Sequence, residues 1–426
     1  MSILIRHARI VDPAGATDEI GDVLIEGDRV AEVGRVSGPA ERVIEADGLV
    51  AAPGLVDMHV HFREPGDEEA ETIASGSAAA VAGGFTTVCV MPNTTPPIDT
   101  EAAAEFVVLQ GKRAGKADVF PVGAVTKGLA GERLSEMGGL VRGGAVAFSD
   151  DGNPIRSAAM LRRALLYSRM FDKVIIDHAV DADLASDGVM NSGVLSAVLG
   201  LPGVSAAAED VAVARDIRLA EVTGGRLHVA HLSTAGAVDL VRDAKSRGIS
   251  VTSEVTPHHL LLTEELVETF DPNFKMSPPL RTEADREALV EGLLDGTVDA
   301  IATDHAPHTS EAKELEFSFA PFGVIGLETA LAVVYTRLVA DGPMSLLQMV
   351  EKMSTNPARI LGLESKGALR PGACADIVLF DVETPWTIDP ARFFSKSRNT
   401  PFAGMEVRGR VRYTIVSGRV VYDSQE

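Results

Sequence analysis

The stretch GLVDMHVHFREP, residues 54–65, joins an apolar strand pattern to side chains that bind metals. Residues i and i+2 of a strand point to the same face, so His59 and His61 would present both imidazoles to one point. Arg63 continues that face and is suited to a bidentate contact with a substrate anion. Two chance histidines at a strand end would look the same, and a metal needs further ligands, so the rest of the chain must decide.

Composition limits the classes of function. The chain has 426 residues, 39 of them basic and 61 acidic, and its net charge of −22 argues against a nucleic-acid or anionic-membrane partner. No run approaches the ~20 apolar residues of a membrane span, and the first residues lack a signal-peptide core. Only two cysteines occur, Cys89 and Cys374, which indicates no disulfide framework and predicts a cytoplasmic protein.

From residue 54 onwards, apolar strand candidates alternate with helical segments. The predicted strands are 55–58, 86–91, 119–125, 145–148, 174–177, 227–230, 249–255 and 300–303. The predicted helices are 68–82, 100–115, 157–170, 206–222, 235–247, 283–294, 326–338 and 346–354. This alternation predicts an α/β fold, a (β/α)₈ TIM barrel. A doubly wound open sheet would share the alternation, and the positions of the polar residues separate the two folds.

The two ends of the chain are rich in β-strands. Residues 3–5, 23–25 and 29–33 form strand patterns near the start, and residues 376–381 and a hairpin at 411–422 follow near the end. Neither end has enough apolar surface to fold alone, so we expect them to pair into one small β-sandwich. The predicted domains are therefore 1–52 and 365–426, which build the sandwich, and the barrel at 53–364.

Ligand-type side chains follow five of the eight predicted strands. They are His59 and His61 after the first strand, Asp150-Asp151 after the fourth, Asp177-His178 at the end of the fifth, His231 after the sixth, and Asp304-His305 after the eighth. In a barrel these strand ends open on one face, where active sites form. Four histidines and two aspartates converge there, which suits two zinc-type ions bridged by a carboxylate.

Each of these residues alone has a plainer interpretation. Asp150-Asp151 before a glycine suits a turn, and His178 alone would be a hydrogen-bonded core histidine. His228 competes with His231, because an offset of three on a strand lets only one of them face the barrel. His258-His259 after the seventh strand would serve as ligands or as their support. The joint pattern favours a metal site.

Several separated blocks resemble the motifs of the dihydroorotase family, within the amidohydrolase superfamily. They are residues 57–65, Met91-Pro92-Asn93-Thr94, Phe148-Ser149-Asp150-Asp151-Gly152, residues 254–259, and residues 302–308 with Lys313. The resemblance runs from about residue 50 to 330, weakly into both ends, and is strongest to the long bacterial, type I form. That form uses an aspartate where relatives use a carboxylated lysine. The predicted fourth strand contains no lysine, and the nearby Lys127 is interpreted as a loop residue.

The resemblance implies a metal centre and a reaction. The implied metal ligands are His59, His61 and Asp304 for one ion, Asp151 as the bridge, and His178 and His231 for the second. The ions would be zinc, two per chain with one as the alternative. The implied reaction is the reversible hydrolysis of dihydroorotate to N-carbamoyl-L-aspartate, run towards ring closure in pyrimidine biosynthesis. Bound water with a pKa near ~7 would attack the ring carbonyl, and Asp304 would carry the proton to the ring nitrogen.

The resemblance also implies substrate contacts. They are His61, Arg63, Asn93, Ser277, His308, Phe322 and Gly323. A surface salt bridge for Arg63 and a turn role for Asn93 are the plainer alternatives. Ser277 departs from the family block, which usually has asparagine there, and serine lacks an amide that donates and accepts together. The segment 309–322 is predicted to act as a lid.

Two other functions stay open at this stage. One is a sister cyclic amidase acting on a hydantoin, a dihydropyrimidine or allantoin with the same metals. The other is a non-catalytic dihydroorotase-like subunit of aspartate transcarbamoylase, although such proteins lose metal ligands and none is missing here. A homodimer and a catalytic complex with aspartate transcarbamoylase are further expectations about partners.

Overall fold

The computed structural model describes residues 2–425. The strands are β1 (Ser2–Asp12), β2 (Thr17–Glu26), β3 (Arg29–Gly34), β4 (Arg42–Glu45), β5 (Leu49–Pro53), β6 (Leu55–Val60), β7 (Phe85–Val90), β8 (Asp118–Ala124), β9 (Ala147–Ser149), β10 (Ile175–Asp177), β11 (Met190–Asn191), β12 (Gly203–Val204), β13 (Leu227–Val229), β14 (Val251–Val255), β15 (Ala300–Ile301), β16 (Ile377–Asp381), β17 (Trp386–Thr387), β18 (Glu406–Val407), β19 (Arg410–Val416) and β20 (Arg419–Asp423). The α-helices are α1 (Ile73–Ala82), α2 (Glu101–Ala114), α3 (Met137–Arg142), α4 (Ala158–Ser168), α5 (Ala182–Ala185), α6 (Val194–Leu199), α7 (Ala206–Thr223), α8 (Ala235–Ser246), α9 (Pro257–Leu261), α10 (Glu283–Asp295), α11 (Ser310–Lys313), α12 (Ala330–Val334), α13 (Leu346–Val350) and α14 (Asn356–Leu361).

Eight parallel strands form the barrel that the sequence predicts. Their order is β6, β7, β8, β9, β10, β13, β14 and β15, each beside the next along the chain. Beyond β15, His305 forms parallel bridges with Val60 and with Val324, which nearly closes the sheet. The open-sheet alternative is therefore wrong, and the carboxyl ends of all eight strands face the same opening.

The barrel strands are buried on both faces, which explains their continuous apolar runs. Val56, Met58, Cys89 and Ile176 belong to the core inside the barrel, whereas Leu55 packs with the surrounding helices. Every residue of β6 and β7 is buried. The core is thus two-layered and mainly apolar, with a few buried polar residues inside the strands, such as Asp57 and Glu254.

The predicted helix 68–82 begins later than expected. The α1 helix starts at Ile73, and Thr72 caps it by accepting a hydrogen bond from the Ser75 N–H. The Glu71 carboxylate accepts hydrogen bonds from Ser75 and from Ser395 near the other end of the chain, so residues 68–72 form a loop instead.

Near the end of the barrel, the predicted helices 326–338 and 346–354 contain π-helical turns at 335–340 and 351–355.

Strands from both ends of the chain share one sheet. Its order is β20, β19, β16, β5, β1, β2 and β3, with β4 also pairing with β1. Side chains on one face, such as Ile5 and Leu379, form a separate core, and alternate ones such as Val378 and Phe380 pack towards the barrel. This alternation confirms that both ends build one β-structure beside the barrel. The domain bounds at 52/53 and 364/365 remain a prediction.

No helix among residues 2–425 is long and apolar enough to cross a membrane. Both cysteines, Cys89 and Cys374, are buried and unpaired.

Candidate active site

The six predicted metal ligands lie together at the carboxyl ends of the barrel strands. His59 belongs to β6, and His61 follows that strand directly; the other four follow β9, β10, β13 and β15. These residues are His59, His61, Asp151, His178, His231 and Asp304, and they are between 0% and 7% exposed. The fold therefore removes six polar side chains from water at one point, which is costly unless they have partners.

The Asp151 carboxylate stands between two pairs of histidines. Its Oδ2 atom lies 3.3 Å from His59 Nε2 and 3.5 Å from His61 Nε2. Its Oδ1 atom lies 3.7 Å from His178 Nδ1 and 3.5 Å from His231 Nε2. Ligands bonded to one tetrahedral zinc at ~2.0–2.1 Å lie roughly 3.3 Å apart. Each carboxylate oxygen thus shares a separate, metal-sized site with its own pair of histidines.

Asp304 approaches the first of these sites. Its Oδ1 atom lies 3.0 Å from His61 Nε2 and 3.6 Å from His59 Nε2. The backbone at Asp304 has a φ of 48°, and that at His231 has a φ of 33°. Left-handed backbone is uncommon for residues other than glycine and often occurs at functional sites. These two turns redirect both side chains as they leave their strands.

Unpaired atoms in the cluster test whether a metal fits. His59 Nε2 and Asp151 Oδ1, which face the two sites, are buried without a hydrogen-bond partner. Buried polar atoms nearly always have a partner, and imidazole nitrogens with carboxylate oxygens are the donors that zinc prefers. The residues present therefore fit divalent cations.

The electrostatics of the cluster also favour cations. Burial would raise the pKa of Asp151, but the charge of His59 and the close approach of His231 and His59 hold it well below its usual value. Burial would also raise the pKa of Asp304, but the charge of His59 is the main effect that opposes burial, and the pKa is lowered. Burial, together with the charge of His231, lowers the pKa of His178 to about 4. Both carboxylates are thus ionised and His178 is neutral at pH 7, the states that bind metals.

A buried glutamate supports the first pair of ligands. Glu254 of β14 is 0% exposed, accepts a hydrogen bond from His59 Nδ1 at 2.7 Å, and lies 3.2 Å from His228 Nε2. The expectation that only one of His228 and His231 would face the barrel is wrong. The backbone leaves its regular course at His231, so His231 reaches Asp151 while His228 contacts Glu254. The sequence signal for Glu254 was one charged residue inside an otherwise uncharged strand.

The two histidines of α9 do not join either metal group. His259 interacts with Thr256 Oγ1 at 2.8 Å and donates from Nε2 to the Pro278 carbonyl at 3.0 Å. His258 is buried, its Nε2 atom has no partner, and burial lowers its pKa to about 4. Of the two interpretations left open, support of the centre fits His259 better than ligation.

Two predicted substrate residues lie beside the metal ligands. Asn93 Oδ1 accepts a hydrogen bond from His61 Nδ1 at 2.9 Å, so its side chain serves the site rather than only a turn. The Arg63 guanidinium is half-buried and donates from Nε to the Pro307 carbonyl at 3.1 Å. Burial lowers the Arg63 pKa, while the charge of Asp304 opposes this effect. Both residues therefore present polar groups next to the candidate centre.

The remaining predicted substrate residues lie on the later loops. His308 Nε2 donates to the Phe322 carbonyl at 2.7 Å, which joins the start and the end of the predicted lid. Ser277 and Phe322 line a cavity of about 350 Å³ that also contains Val180, two residues beyond His178. A larger cavity of about 810 Å³ lies elsewhere, between α12 and the C-terminal strands around Trp386, and none of the predicted site residues lines it.

The predicted lid is folded over two buried lysines. Lys313 Nζ donates to the carbonyls of Pro321 and Gly323, at 3.0 and 2.9 Å. Lys275 Nζ donates to the carbonyls of Phe317 and Ser318, at 2.8 and 3.0 Å. Burial lowers the pKa of Lys313 to about 7. Residues 309–322 thus have a defined conformation that includes α11, and the strand before Asp151 contains no lysine, while Lys127 is exposed in a loop.

Comparisons with known proteins agree with this geometry. Residues 50–421 match the amidohydrolase family model. A dihydroorotase of Pelotomaculum thermopropionicum is 51% identical over 422 residues, covering 99% of this chain and 98% of its own length. A dihydroorotase of Geobacter metallireducens is 49% identical over 424 residues, covering 99% and 100%. Among solved structures, an L-hydantoinase from Arthrobacter aurescens aligns with a TM-score of 0.88 and 28% identity, covering 100% of this chain and 96% of its own. A dihydropyrimidinase from Brevibacillus agri aligns with a TM-score of 0.86 and 25% identity, with the same coverage.

Proposed function

Because the chain belongs to the amidohydrolase family, we propose that it is a dihydroorotase, which interconverts dihydroorotate and N-carbamoyl-L-aspartate. The relatives that match it along nearly the whole chain bear that name. Their identity of about one half is far above that of the hydantoinases, which share mainly the fold. The reaction class is the metal-dependent, reversible hydrolysis of a cyclic amide. In pyrimidine biosynthesis the reaction runs in the reverse direction and closes the ring.

The proposed metal centre holds two zinc ions. One observation carries this proposal: the two oxygens of Asp151 face different pairs of histidines, each at 3.3–3.7 Å. His59, His61 and Asp304 would hold one ion, and His178 and His231 the other, with Asp151 as the bridge. A single ion, or another divalent metal, is the alternative that metal analysis would reveal.

The chain's own groups have separate tasks in the proposed reaction. Zinc held by these residues would make a hydroxide available at neutral pH and would polarise the ring carbonyl. Asp304 would take the proton of the attacking hydroxide and deliver it to the ring nitrogen that leaves, as base and then acid. Its lowered pKa keeps it ionised at neutral pH, and its contact with His61 holds it at the site. Ring closure uses the same steps in reverse.

The proposed carboxylate site distinguishes a dihydroorotase from its sister amidases. Arg63 and Asn93 would hold the substrate carboxylate, with His308 assisting, and His61 would contribute beside them. Arg63 retains terminal N–H groups beyond its Nε contact with Pro307, which suits a bidentate pair with a carboxylate. Ser277, Phe322 and Gly323 would contact the ring from the cavity wall.

Turnover of dihydroorotate against hydantoin and dihydrouracil tests this proposal. Arg63→Ala should lower kcat/KM for dihydroorotate by about 10²-fold or more, the usual loss when a buried charged pair loses a partner, and should leave dihydrouracil turnover nearly unchanged. Arg226→Ala is the matched control, because Arg226 is also part-buried and donates to backbone carbonyls, away from the metal cluster. Faster turnover of hydantoin than of dihydroorotate by the native protein would favour the hydantoinase alternative.

A protein partner is a further part of the proposal. Val194 and Val198 of α6 are 84% and 75% exposed, and Phe319 of the lid is 75% exposed. The other face of α6 belongs to the same apolar cluster as Phe317 of the lid. Exposed apolar groups in one region are typical of interaction surfaces. The two partners proposed are a second copy of the chain and aspartate transcarbamoylase, and light scattering with and without the transcarbamoylase distinguishes them.

The unpaired cysteines support a cytoplasmic location.

A further inference from the structure

A short segment near the C-terminal end of the chain reaches the active-site loops. This support segment, residues 395–399, is anchored on the loop before α1. Ser395 Oγ and the Lys396 N–H donate to the buried Glu71 carboxylate, and Ser397 Oγ donates to the Ala70 carbonyl at 2.8 Å. Ser395 and Ser397 are 1% and 3% exposed. The segment is therefore fixed to the barrel independently of the lid.

Asn399 ends the support segment and uses its whole amide. Its Nδ2 atom donates to the Ala306 carbonyl at 3.0 Å and to the Gly323 carbonyl at 3.1 Å. Its Oδ1 atom accepts the His308 N–H at 3.3 Å, and its backbone carbonyl accepts the Ile325 N–H at 2.9 Å. The side chain is 4% exposed. An uncharged amide is the side-chain group that both donates two protons and accepts at one site.

These bonds join two loops that are separated in the chain. One loop, 306–308, follows the strand that carries Asp304 and includes His308. The other, 322–325, closes the lid and includes Phe322 and Gly323. A side chain at Gly323 would lie 2.6 Å from the Ala306 Cβ atom, so the two loops are in close contact beside Asn399. The Ala306 N–H also donates to the Val324 carbonyl at 2.9 Å, so the loops meet through this direct bond, and Asn399 with the His308–Phe322 hydrogen bond fixes the part of the contact that carries His308 and Gly323.

We propose that Asn399 is a positioning residue for the reaction: it holds His308 and Gly323 at the separation that the substrate requires. This proposal rests on the proposed function, because both loops carry its substrate contacts. Asn399 itself touches neither the metal ligands nor the substrate cavity, so it acts through the two loops. Its loss is expected to weaken substrate binding without removing the metals.

The test compares Asn399→Asp and Asn399→Ala with Asn356→Asp. The aspartate keeps the shape but donates no proton, and it sets a negative charge against two carbonyl oxygens. Asn356 is an equally buried asparagine that donates from Nδ2 to the Asp299 carbonyl at 2.9 Å, away from the site. The readouts are KM and kcat for dihydroorotate, zinc content, and hydrogen exchange of the backbone amides of residues 305–325.

For Asn399→Asp we expect KM to rise about tenfold or more, as for the loss of one or two hydrogen bonds in a binding site, with kcat changed less than about threefold. Zinc content should stay at the native value, and exchange in residues 305–325 should accelerate in both Asn399 variants but not in Asn356→Asp. A structural role alone would lower the active fraction and leave KM unchanged, which would overturn the proposal. If the native protein does not turn over dihydroorotate, hydrogen exchange still tests the proposal. Unchanged exchange of residues 305–325 in the Asn399 variants would reject the positioning role, whereas accelerated exchange would support it for another substrate.

Discussion

The contact between Glu254 and His59 gives a prediction about metal affinity that does not require catalysis. Glu254 is fully buried beneath the centre, and it accepts the Nδ1 proton of His59 at 2.7 Å. Because Nδ1 is used in this bond, Nε2 is the atom of His59 that faces the metal site. The pKa of Glu254 falls to about 2, because the charge of His59 and hydrogen bonds from His228 and His59 outweigh its burial. Glu254→Gln removes the charge and keeps the size of the side chain.

The magnitude follows from the kind of bond that is weakened. A hydrogen bond to a charged group contributes about 1.5–3 kcal/mol and a neutral one about 0.5–1.5 kcal/mol, so the His59 bond should lose about 1.4 kcal/mol, or tenfold in Kd. The second bond, to His228 at 3.2 Å, weakens as well. Loss of groups that orient a metal ligand typically costs 10–100-fold in affinity. We therefore expect zinc to bind about 10–100-fold more weakly to Glu254→Gln.

Competition with a chelator of known zinc affinity measures this change directly. Asp12→Asn is the control, because Asp12 is a buried carboxyl of β1, away from the metal cluster, and should leave zinc affinity unchanged. An affinity of Glu254→Gln within about twofold of the native value would refute the reasoning that this buried charge orients His59.

Three further predictions concern the same centre. Asp151→Asn, which keeps the size but loses the bridging anion, should lower the zinc content from two to at most one per chain, as measured by elemental analysis; an unchanged content of two would rule out the bridge. The pKa of His59 is raised well above its usual value, since the charges of Asp151 and Glu254 outweigh its burial, and that of His231 is also raised, mainly by Asp151 against burial. His59 is therefore protonated at pH 7 without metal, and zinc binding should release about one proton or more, which calorimetry in buffers of different ionisation enthalpy detects; no release would contradict this protonation state. Ser277→Asn restores the family's usual amide and should lower KM for dihydroorotate; a higher KM would indicate that the cavity is shaped for serine.

Much of the barrel was predictable from the sequence, because its signals are local. Each barrel strand is an apolar run bounded by polar or turn residues, and the observed strands coincide with the eight predicted ones to within a few residues. Parallel strands around a barrel end on one face, so ligand-type residues after five strands had to converge. The distances around Asp151 agree with that expectation.

The features that were missed depend on contacts between distant residues. Strict alternation along the strand lets only one of His228 and His231 face the barrel, but the backbone changes course at His231. The helix at 68–82 was extended too far, because the carboxylate of Glu71 bonds to Ser395, more than 300 residues later. Asn399 lies in a stretch without a recognisable pattern, and only the folded chain brings it to the active-site loops.

Metal content and dihydroorotate hydrolysis, measured on one purified sample, test the central claim most directly. We predict close to two zinc ions per chain and a turnover of dihydroorotate that chelation abolishes and zinc restores. Turnover that persists in metal-free protein, or a native protein that binds no metal, would contradict the account.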